Sequence, residues 1–335
     1  MTPNTKLTRR DFQSDQDVRW CPGCGDYAIL KAVQTVFPEL GVPKEKLVVV
    51  SGIGCSSRFP YYMDTFGFHT IHGRAPAVAT GLKTARPDLE VWVVTGDGDA
   101  LSIGGNHLIH ALRRNVGLKI LLFNNRIYGL TKGQYSPTSE VGKRTSSTPV
   151  GSVDAPFNPQ ALALGAGATF VARAVDVLQK HMVGVLSEAA KHQGTAFIEI
   201  YQNCNIFNDK AFSYMTDKAN RDGHVVEIRH GEPLLFYKNT RGLRLGAGGL
   251  EIVDLESGEF SADDCLIYDQ TNPVHAQLMA HLLPPDFPTP VGVFRRVEQA
   301  AFEDDVVEQV ENAVAQKGHQ ALDDLFHAGD TWTVE

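Results

Sequence analysis

The sequence predicts an α/β protein with a mostly parallel sheet and helices on both faces. Three observations carry this. Short runs rich in Val, Ile and Leu alternate with amphipathic segments of helical length. Gly-rich turns follow several of the apolar runs. The length, 335 residues with 43% hydrophobic and 21% charged side chains, suffices for a large core in one large or two smaller domains.

Taken in order, residues 1–19 are polar and read as an arm. From 20 to about 210 the alternation is regular. Strands are expected at 47–51, 91–95, 118–123, 168–172 and 195–201, each an apolar run bounded by turn residues. Helices are expected at 26–37, 74–85, 103–115, 158–164 and 175–191. Residues 136–159 break the pattern, because Ser136-Pro-Thr-Ser-Glu140 and Thr145-Ser-Ser-Thr-Pro149 are polar and helix-poor. A loop this long in a compact domain is usually functional or disordered. Here it is expected to cover a cofactor or a partner.

From 211 the character changes. Strands are expected at 225–229 and 233–238, with a hairpin around Gly246-Ala-Gly-Gly249. That glycine run opens no helix, so it is not a dinucleotide fingerprint. Helices are expected at 273–283 and 304–317. The chain thus divides into an arm (1–19), a main α/β domain (20–210) and a smaller C-terminal α+β appendage (211–335).

Two constellations carry chemistry. The first is Gly96-Asp97-Gly98 with Asn124-Asn125. Each lies just past an apolar run, Val91–Val94 for the first and Ile120–Phe123 for the second. Loops after two parallel strands can meet at the carboxyl edge of the sheet, where α/β proteins bind ligands. A carboxylate and an amide oxygen there are hard donors suited to Mg²⁺, which takes its remaining ligands from phosphates and water. Gly96 and Gly98 let backbone approach a phosphate closely. A lone Gly-Asp-Gly or Asn-Asn is usually only a turn. Together, at strand-helix-strand separation, they resemble the pattern by which thiamine diphosphate enzymes hold their cofactor.

The second constellation is the cysteines. Cys21-Pro-Gly-Cys24 aims two sulfurs at one point, Cys55 follows the apolar run 47–50, and Cys204 follows 196–201. Cys55 and Cys204 therefore fall on the same sheet edge as Asp97 and Asn125. Four thiolates can hold an iron–sulfur cluster or a structural Zn²⁺. Only one pair is tight, whereas Zn²⁺ sites commonly use two. The count of five is odd, so a disulfide framework is not expected. The fifth, Cys265, reads as a packed thiol.

Composition excludes other classes. The formal charge is −8 and no basic patch dominates, which argues against nucleic acid. No apolar run is long enough to cross a bilayer. The first residues lack a secretory signal, so a cytoplasmic location is expected.

With both constellations in view, the chain resembles the beta subunit of 2-oxoacid:ferredoxin oxidoreductases over about residues 18–217. The landmarks are Trp20-Cys-Pro-Gly-Cys-Gly25, Gly52-Ile-Gly-Cys-Ser-Ser57, His69-Thr-Ile-His-Gly-Arg74, Gly96-Asp-Gly-Asp99, Asn124 to Gln134, and Gln202-Asn-Cys204. It is most similar to the 2-oxoglutarate members, through Gly54-Cys-Ser-Ser-Arg58 and Tyr128-Gly-Leu-Thr-Lys-Gly-Gln134. Pyruvate or another 2-oxoacid is the alternative substrate. A non-redox thiamine-dependent decarboxylase subunit and a cofactor-free zinc- or cluster-binding protein are the alternative functions.

The resemblance implies a thiamine diphosphate-binding fold. It implies oxidative decarboxylation of 2-oxoglutarate, reversible in principle, with coenzyme A taking the succinyl group. Electrons would pass through a [4Fe–4S] cluster on Cys21, Cys24, Cys55 and Cys204 to ferredoxin. Mg²⁺ would be held by Asp97, Asn125 and the Ile127 carbonyl. Gly52, Ile53, Gly54, Ser56, His72, Gly73, Gly96, Gly98, Asp99, Gly129 and Leu130 would surround the cofactor. His72 and Arg74 are the candidate catalytic residues. Arg58, Arg126 and Lys132, with His69 beside them, are candidates for the distal carboxylate of the substrate, since a planar guanidinium suits one. No glutamate for the aminopyrimidine is evident. An alpha subunit is expected to supply it, in an αβ heterodimer or a dimer of that unit.

Overall fold

The computed structural model describes residues 7–319 and 321–334. Among these, eleven strands form one sheet: β1 (Leu47–Ser51), β2 (Phe66–His69), β3 (Glu90–Gly96), β4 (Leu118–Asn124), β5 (Phe170–Val175), β6 (Ala196–Tyr201), β7 (Val225–Ile228), β8 (Leu235–Phe236), β9 (Arg241–Gly246), β10 (Gly249–Asp254) and β11 (Thr289–Arg296). The spatial order is β10-β9-β8-β7-β11-β5-β6-β4-β3-β1-β2. Strands β1 to β6 are mutually parallel, so all six end at the same edge.

Helix α1 (Asp26–Val36) precedes β1, and α2 (Ala75–Ala85), α3 (Asp97–Leu101), α4 (Gly105–Arg114), α5 (Pro159–Gly165) and α6 (Gln179–Lys191) lie between the later strands. Side chains alternate across a strand, and β1 shows the result. Leu47 and Val49 join a core with Ile29 and Val33 of α1 and Met182 and Leu186 of α6. Val48 and Val50 join the opposite core, with Ala79 of α2 and Leu108 and Leu112 of α4. Burial on both faces is why these strands read as unbroken apolar runs.

The observed elements fall close to the expected ones, with informative exceptions. The expected strand 168–172 sits later, at Phe170–Val175, and the helix expected from 175 starts at Gln179. The helix expected at 103–115 is preceded by the separate turn of α3. The strand expected at 233–238 shrinks to Leu235–Phe236, because Tyr237, Lys238 and Asn239 all take positive φ. Two strands were not expected. β2 is a short, fully exposed edge strand. β11 contains Pro290 and Gly292, which weaken a strand signal. Gly292 has φ +118°, and the register slips between Val293 and Arg295.

β11 decides how the C-terminal third attaches. It pairs antiparallel with β5 and parallel with β7, so that third continues the same sheet. The join is reinforced from within. Arg173 of β5 donates to the Glu199 carboxylate at 2.8 Å and to the Pro290 carbonyl at 3.2 Å. Its guanidinium lies 5.0 Å from the Tyr201 ring and 5.2 Å from the Phe294 ring. Glu199 also accepts from Asn124 at 2.7 Å and Gln160 at 3.1 Å. A buried ion pair is tolerable only when its remaining polar atoms are also paired. At the other end, the stretch 7–19 is anchored by Phe12, fully buried edge-on against Phe37, with Leu7 and Val18 packed on the same core.

Candidate active site

The carboxyl edge of β1, β3 and β4 holds a cleft of about 580 Å³ counted out to its open mouth. Its walls are the three loops that follow these strands: Ile53–Ser56, Gly96–Asp99 and Asn125–Thr131. His72 closes one side and Asp26 another. Thus Ile53, Gly54, Cys55, Ser56, His72, Gly96, Asp97, Gly98, Asp99, Asn125, Ile127, Gly129 and Leu130, expected from sequence to meet, do line one cleft, whereas Gly52 and Gly73, expected with them, do not.

Asp97 is 2% exposed and forms no ion pair among the described residues. Its Oδ2 accepts from Ser136 Oγ and from Thr138 Oγ1, the latter at 2.6 Å. Burial pushes its carboxyl up to about 6, with the two hydroxyls pulling the other way. A desolvated carboxylate without a cation is what a divalent ion would complete. Asn125 stands opposite, its Oδ1 accepting from Ile127 N–H at 3.2 Å. Arg126 between them takes φ +56°, which turns the chain so that Asn125 and Ile127 share the cleft.

Asp99 organises the loops. Its Oδ1 accepts from Gly73 N–H at 2.8 Å and lies 2.8 Å from His72 Nδ1, while Oδ2 accepts from Thr95 at 2.7 Å. A β-carbon on Gly52 would sit 1.7 Å from Asp99 Oδ2, so only glycine fits there. With Nδ1 engaged, the free ring nitrogen of His72 is Nε2. At Gly98, a β-carbon would lie 2.1 Å from the Tyr128 ring, whose hydroxyl donates to the Gly98 carbonyl at 3.0 Å.

A second cavity adjoins the first. It measures about 810 Å³ to its mouth, and Cys21, Cys24, Cys55 and Cys204 all line it. Gly129 lies beside two of the sulfurs: a β-carbon there would be in ordinary contact, 3.6 Å from Cys204 Sγ and 3.7 Å from Cys55 Sγ. Gln202 Nε2 donates to Cys24 Sγ at 3.2 Å, and Trp20 Nε1 to the Cys55 carbonyl at 2.7 Å. Burial raises the Cys24 thiol, and it raises Cys55 to about 11; the Asp26 charge adds to both. Cys265 lies elsewhere, buried, with a β-carbon on Gly242 only 2.1 Å from its sulfur. Among the described residues, no three His, Cys, Asp or Glu side chains close on one metal-ion position. The two cavities share Asp26, Cys55, Asn125, Gly129 and Leu130.

The expected substrate residues scatter. Arg58 lines the thiol cavity and a surface cleft with Ile53, Gly54, His69 and Leu130. Lys132 lines the thiol cavity only. Arg126 points away from the cofactor cleft: its guanidinium is 4.7 Å from the Phe212 ring, in a separate cavity beside Arg173 and Glu199. Arg74 reaches the carbonyls of His72 and Ile103 and does not line the cleft. His69 pairs with Ser51 Oγ at 2.9 Å.

Sequence reasoning missed Asp26, Phe123, Tyr128 and Thr131 in the cleft. Asp26 is 2% exposed, and burial raises its carboxyl to about 7. In sequence it looks like an ordinary acidic residue in the first turn of a helix.

A glycine-lined, carboxylate-bearing cleft at the carboxyl edge of a parallel sheet suits a cofactor that carries a diphosphate. Residues 52–200 match the family model described as thiamine pyrophosphate enzyme, C-terminal TPP binding domain. The chain is 54% identical to the 2-oxoglutarate oxidoreductase subunit KorB of Mycobacterium tuberculosis, over 97% of this chain and 88% of that one. It is 45% identical to the 2-oxoglutarate synthase subunit KorB of Archaeoglobus fulgidus, over 55% of this chain and 69% of that one. Its fold matches a solved 2-oxoglutarate:ferredoxin oxidoreductase from Magnetococcus marinus, determined with 2-oxoglutarate, coenzyme A and succinyl-CoA bound. That match has a TM-score of 0.78 and 33% identity, and covers 97% of this chain and 96% of that one. The chain belongs to the family of 2-oxoacid:ferredoxin oxidoreductase beta subunits.

Proposed function

We propose that this chain is the beta subunit of a 2-oxoglutarate:ferredoxin oxidoreductase that converts 2-oxoglutarate and coenzyme A to succinyl-CoA and carbon dioxide. Its closest functional support comes from the relatives that carry the 2-oxoglutarate name. The observation that carries the redox half is the shared wall between the cofactor cleft and the thiol cavity, built on Cys55, Asn125, Gly129 and Leu130.

Bound thiamine diphosphate would supply the electron sink for decarboxylation. The chain's part is to hold and orient. Asp97, Asn125 and the Ile127 carbonyl would take Mg²⁺, and the glycines at 96 and 98 would let the diphosphate approach. His72, fixed through Nδ1 by Asp99, can hold a proton on Nε2. Arg74 is kept as a residue that anchors the His72 loop. Cys21, Cys24, Cys55 and Cys204 would hold a [4Fe–4S] cluster. The convergence of all four thiols on one cavity supports a shared metal centre, and the spread of its ligands over three loops, with one tight pair only, suits a cluster more than a structural Zn²⁺. An alpha subunit would complete the site, and a ferredoxin would accept the electrons. No helix among the described residues is long and apolar enough to cross a membrane. A reducing, cytoplasmic setting would suit the thiolates proposed for the cluster.

The test is an anaerobic assay of the chain co-expressed with its alpha subunit. Ferredoxin reduction should require both 2-oxoglutarate and coenzyme A. Of the three cations proposed for the distal carboxylate, Arg58 alone lines a cavity together with Ile53 and Gly54. A charge-assisted contact is worth roughly 1.5–3 kcal/mol, about ten- to a hundredfold in rate ratio. Arg58→Met should lower kcat/KM for 2-oxoglutarate relative to pyruvate by that factor. The ratio matters because any damage to the neighbouring cluster slows both substrates alike. An unchanged ratio would move recognition of the distal carboxylate to Lys132 or to the alpha subunit.

A further inference from the structure

No residue of the polar segment 136–159 lines the cleft, and its first residues are buried against Asp97. Ser136, Thr138 and Ser139 are 2–3% exposed, an unusual depth for three hydroxyls in a loop. Ser136 and Thr138 both donate to Asp97 Oδ2. Ser139 Oγ accepts from Ser136 N–H at 2.8 Å and donates to the Arg126 carbonyl at 2.7 Å. Thr138 Oγ1 also lies 2.9 Å from Asn124 Oδ1. One hydroxyl proton cannot serve both acceptors, and the carboxylate is the stronger. Asn124 Oδ1 keeps a donor of its own in Arg126 N–H at 3.2 Å. Through its amide nitrogen, Asn124 is tied to Glu199 and so to the buried Arg173.

Three hydroxyl residues of the 136–139 segment thus fasten the 96–98 loop to the 124–127 loop. We propose that Ser136 and Thr138 are positioning residues for the divalent cation: they hold one oxygen of Asp97 so that the other is presented to the metal. This rests on the assignment of Asp97 to the metal. The physical ground is that partners outside the coordination sphere fix the orientation of a metal-binding carboxylate, and their loss costs affinity.

A merely structural loop and a positioning pair respond differently. Thr138→Val keeps the shape and removes the hydroxyl; Thr138→Ser keeps the hydroxyl and removes a methyl. The metal-stripped complex with the alpha subunit, supplied with thiamine diphosphate, is titrated with Mn²⁺ while free Mn²⁺ is read by electron paramagnetic resonance. Thr138→Val and Ser136→Ala should each raise the Kd for Mn²⁺ about 10- to 100-fold. Thr138→Ser should stay near wild type. If Thr138→Val does not fold, Ser136→Ala carries the test. Wild-type affinity in Thr138→Val and Ser136→Ala, beside loss of binding in Asp97→Ala, overturns the positioning role alone. A Thr138→Ser protein as weak as Thr138→Val overturns it too, since shape would then matter and the hydroxyl would not. Wild-type binding in Asp97→Ala removes the metal assignment, and this inference with it.

Discussion

Asp97→Ala leaves the complex folded and without measurable affinity for thiamine diphosphate and Mg²⁺. The loss follows from charge. Of the three groups proposed for the metal, Asp97 alone is anionic; an amide and a backbone carbonyl remain. A dication with two neutral protein ligands keeps its water instead. The survival of the fold follows from pairing. Without Asp97, Thr138 can donate to Asn124 Oδ1 at 2.9 Å, and Ser136 has Thr138 and Ser139 hydroxyls within 3.4 Å. The buried charge does not support the metal-free fold either. Its carboxyl is raised above the ordinary value to about 6, so the folded state binds its proton more tightly than the unfolded state does. Stability from this group is therefore lost, not gained, as pH rises through that range. Calorimetric titration of the metal-stripped complex checks the result. Near-native affinity in the variant would contradict it.

Cys204→Ser removes the iron–sulfur signal, and Cys265→Ser does not. Cys204 follows β6 and faces the same cavity as Cys21, Cys24 and Cys55. A serine oxygen is a harder and less polarisable donor than a thiolate, and soft thiolates are what such clusters select. Cys265 sits in the C-terminal third, its sulfur directed to the Ser261 carbonyl at 3.7 Å. It shares no wall with the cavity. Anaerobic iron quantitation and electron paramagnetic resonance of dithionite-reduced samples separate the two variants. Equal loss in both, with both folded, would show the ligand set to be wrong.

The parts of this site that could be read from sequence are those fixed by local rules. A strand buried on both faces must be an apolar run, and a phosphate-binding turn must be glycine-rich. These two rules place Cys55, Asp97, Asn125 and Cys204 at one sheet edge before any coordinates. What was hidden depends on contacts across the chain. Ser136 and Thr138 look like loop filler until they reach back to Asp97. Asp26 looks like a helix-start acid until its burial between the two cavities is seen. Arg126 looks like a cofactor-side cation, being flanked by Asn125 and Ile127. Its positive φ turns it to the other side, onto Phe212 and Tyr201. β11 is weakened in sequence by Pro290 and Gly292, yet it joins the C-terminal third to the sheet.

The central claim is that this chain places a thiamine cleft and an iron–sulfur cluster one loop apart, so that electrons from the 2-oxoacid enter the cluster directly. The most direct measurement is electron paramagnetic resonance of the anaerobic complex, with no chemical reductant, frozen after mixing with 2-oxoglutarate and coenzyme A. The account predicts a reduced-cluster signal that needs 2-oxoglutarate. It predicts no such signal in Asp97→Ala, although dithionite still reduces that variant's cluster. A wild-type cluster that dithionite reduces and substrate does not, or a substrate-driven signal that persists in Asp97→Ala, would contradict it.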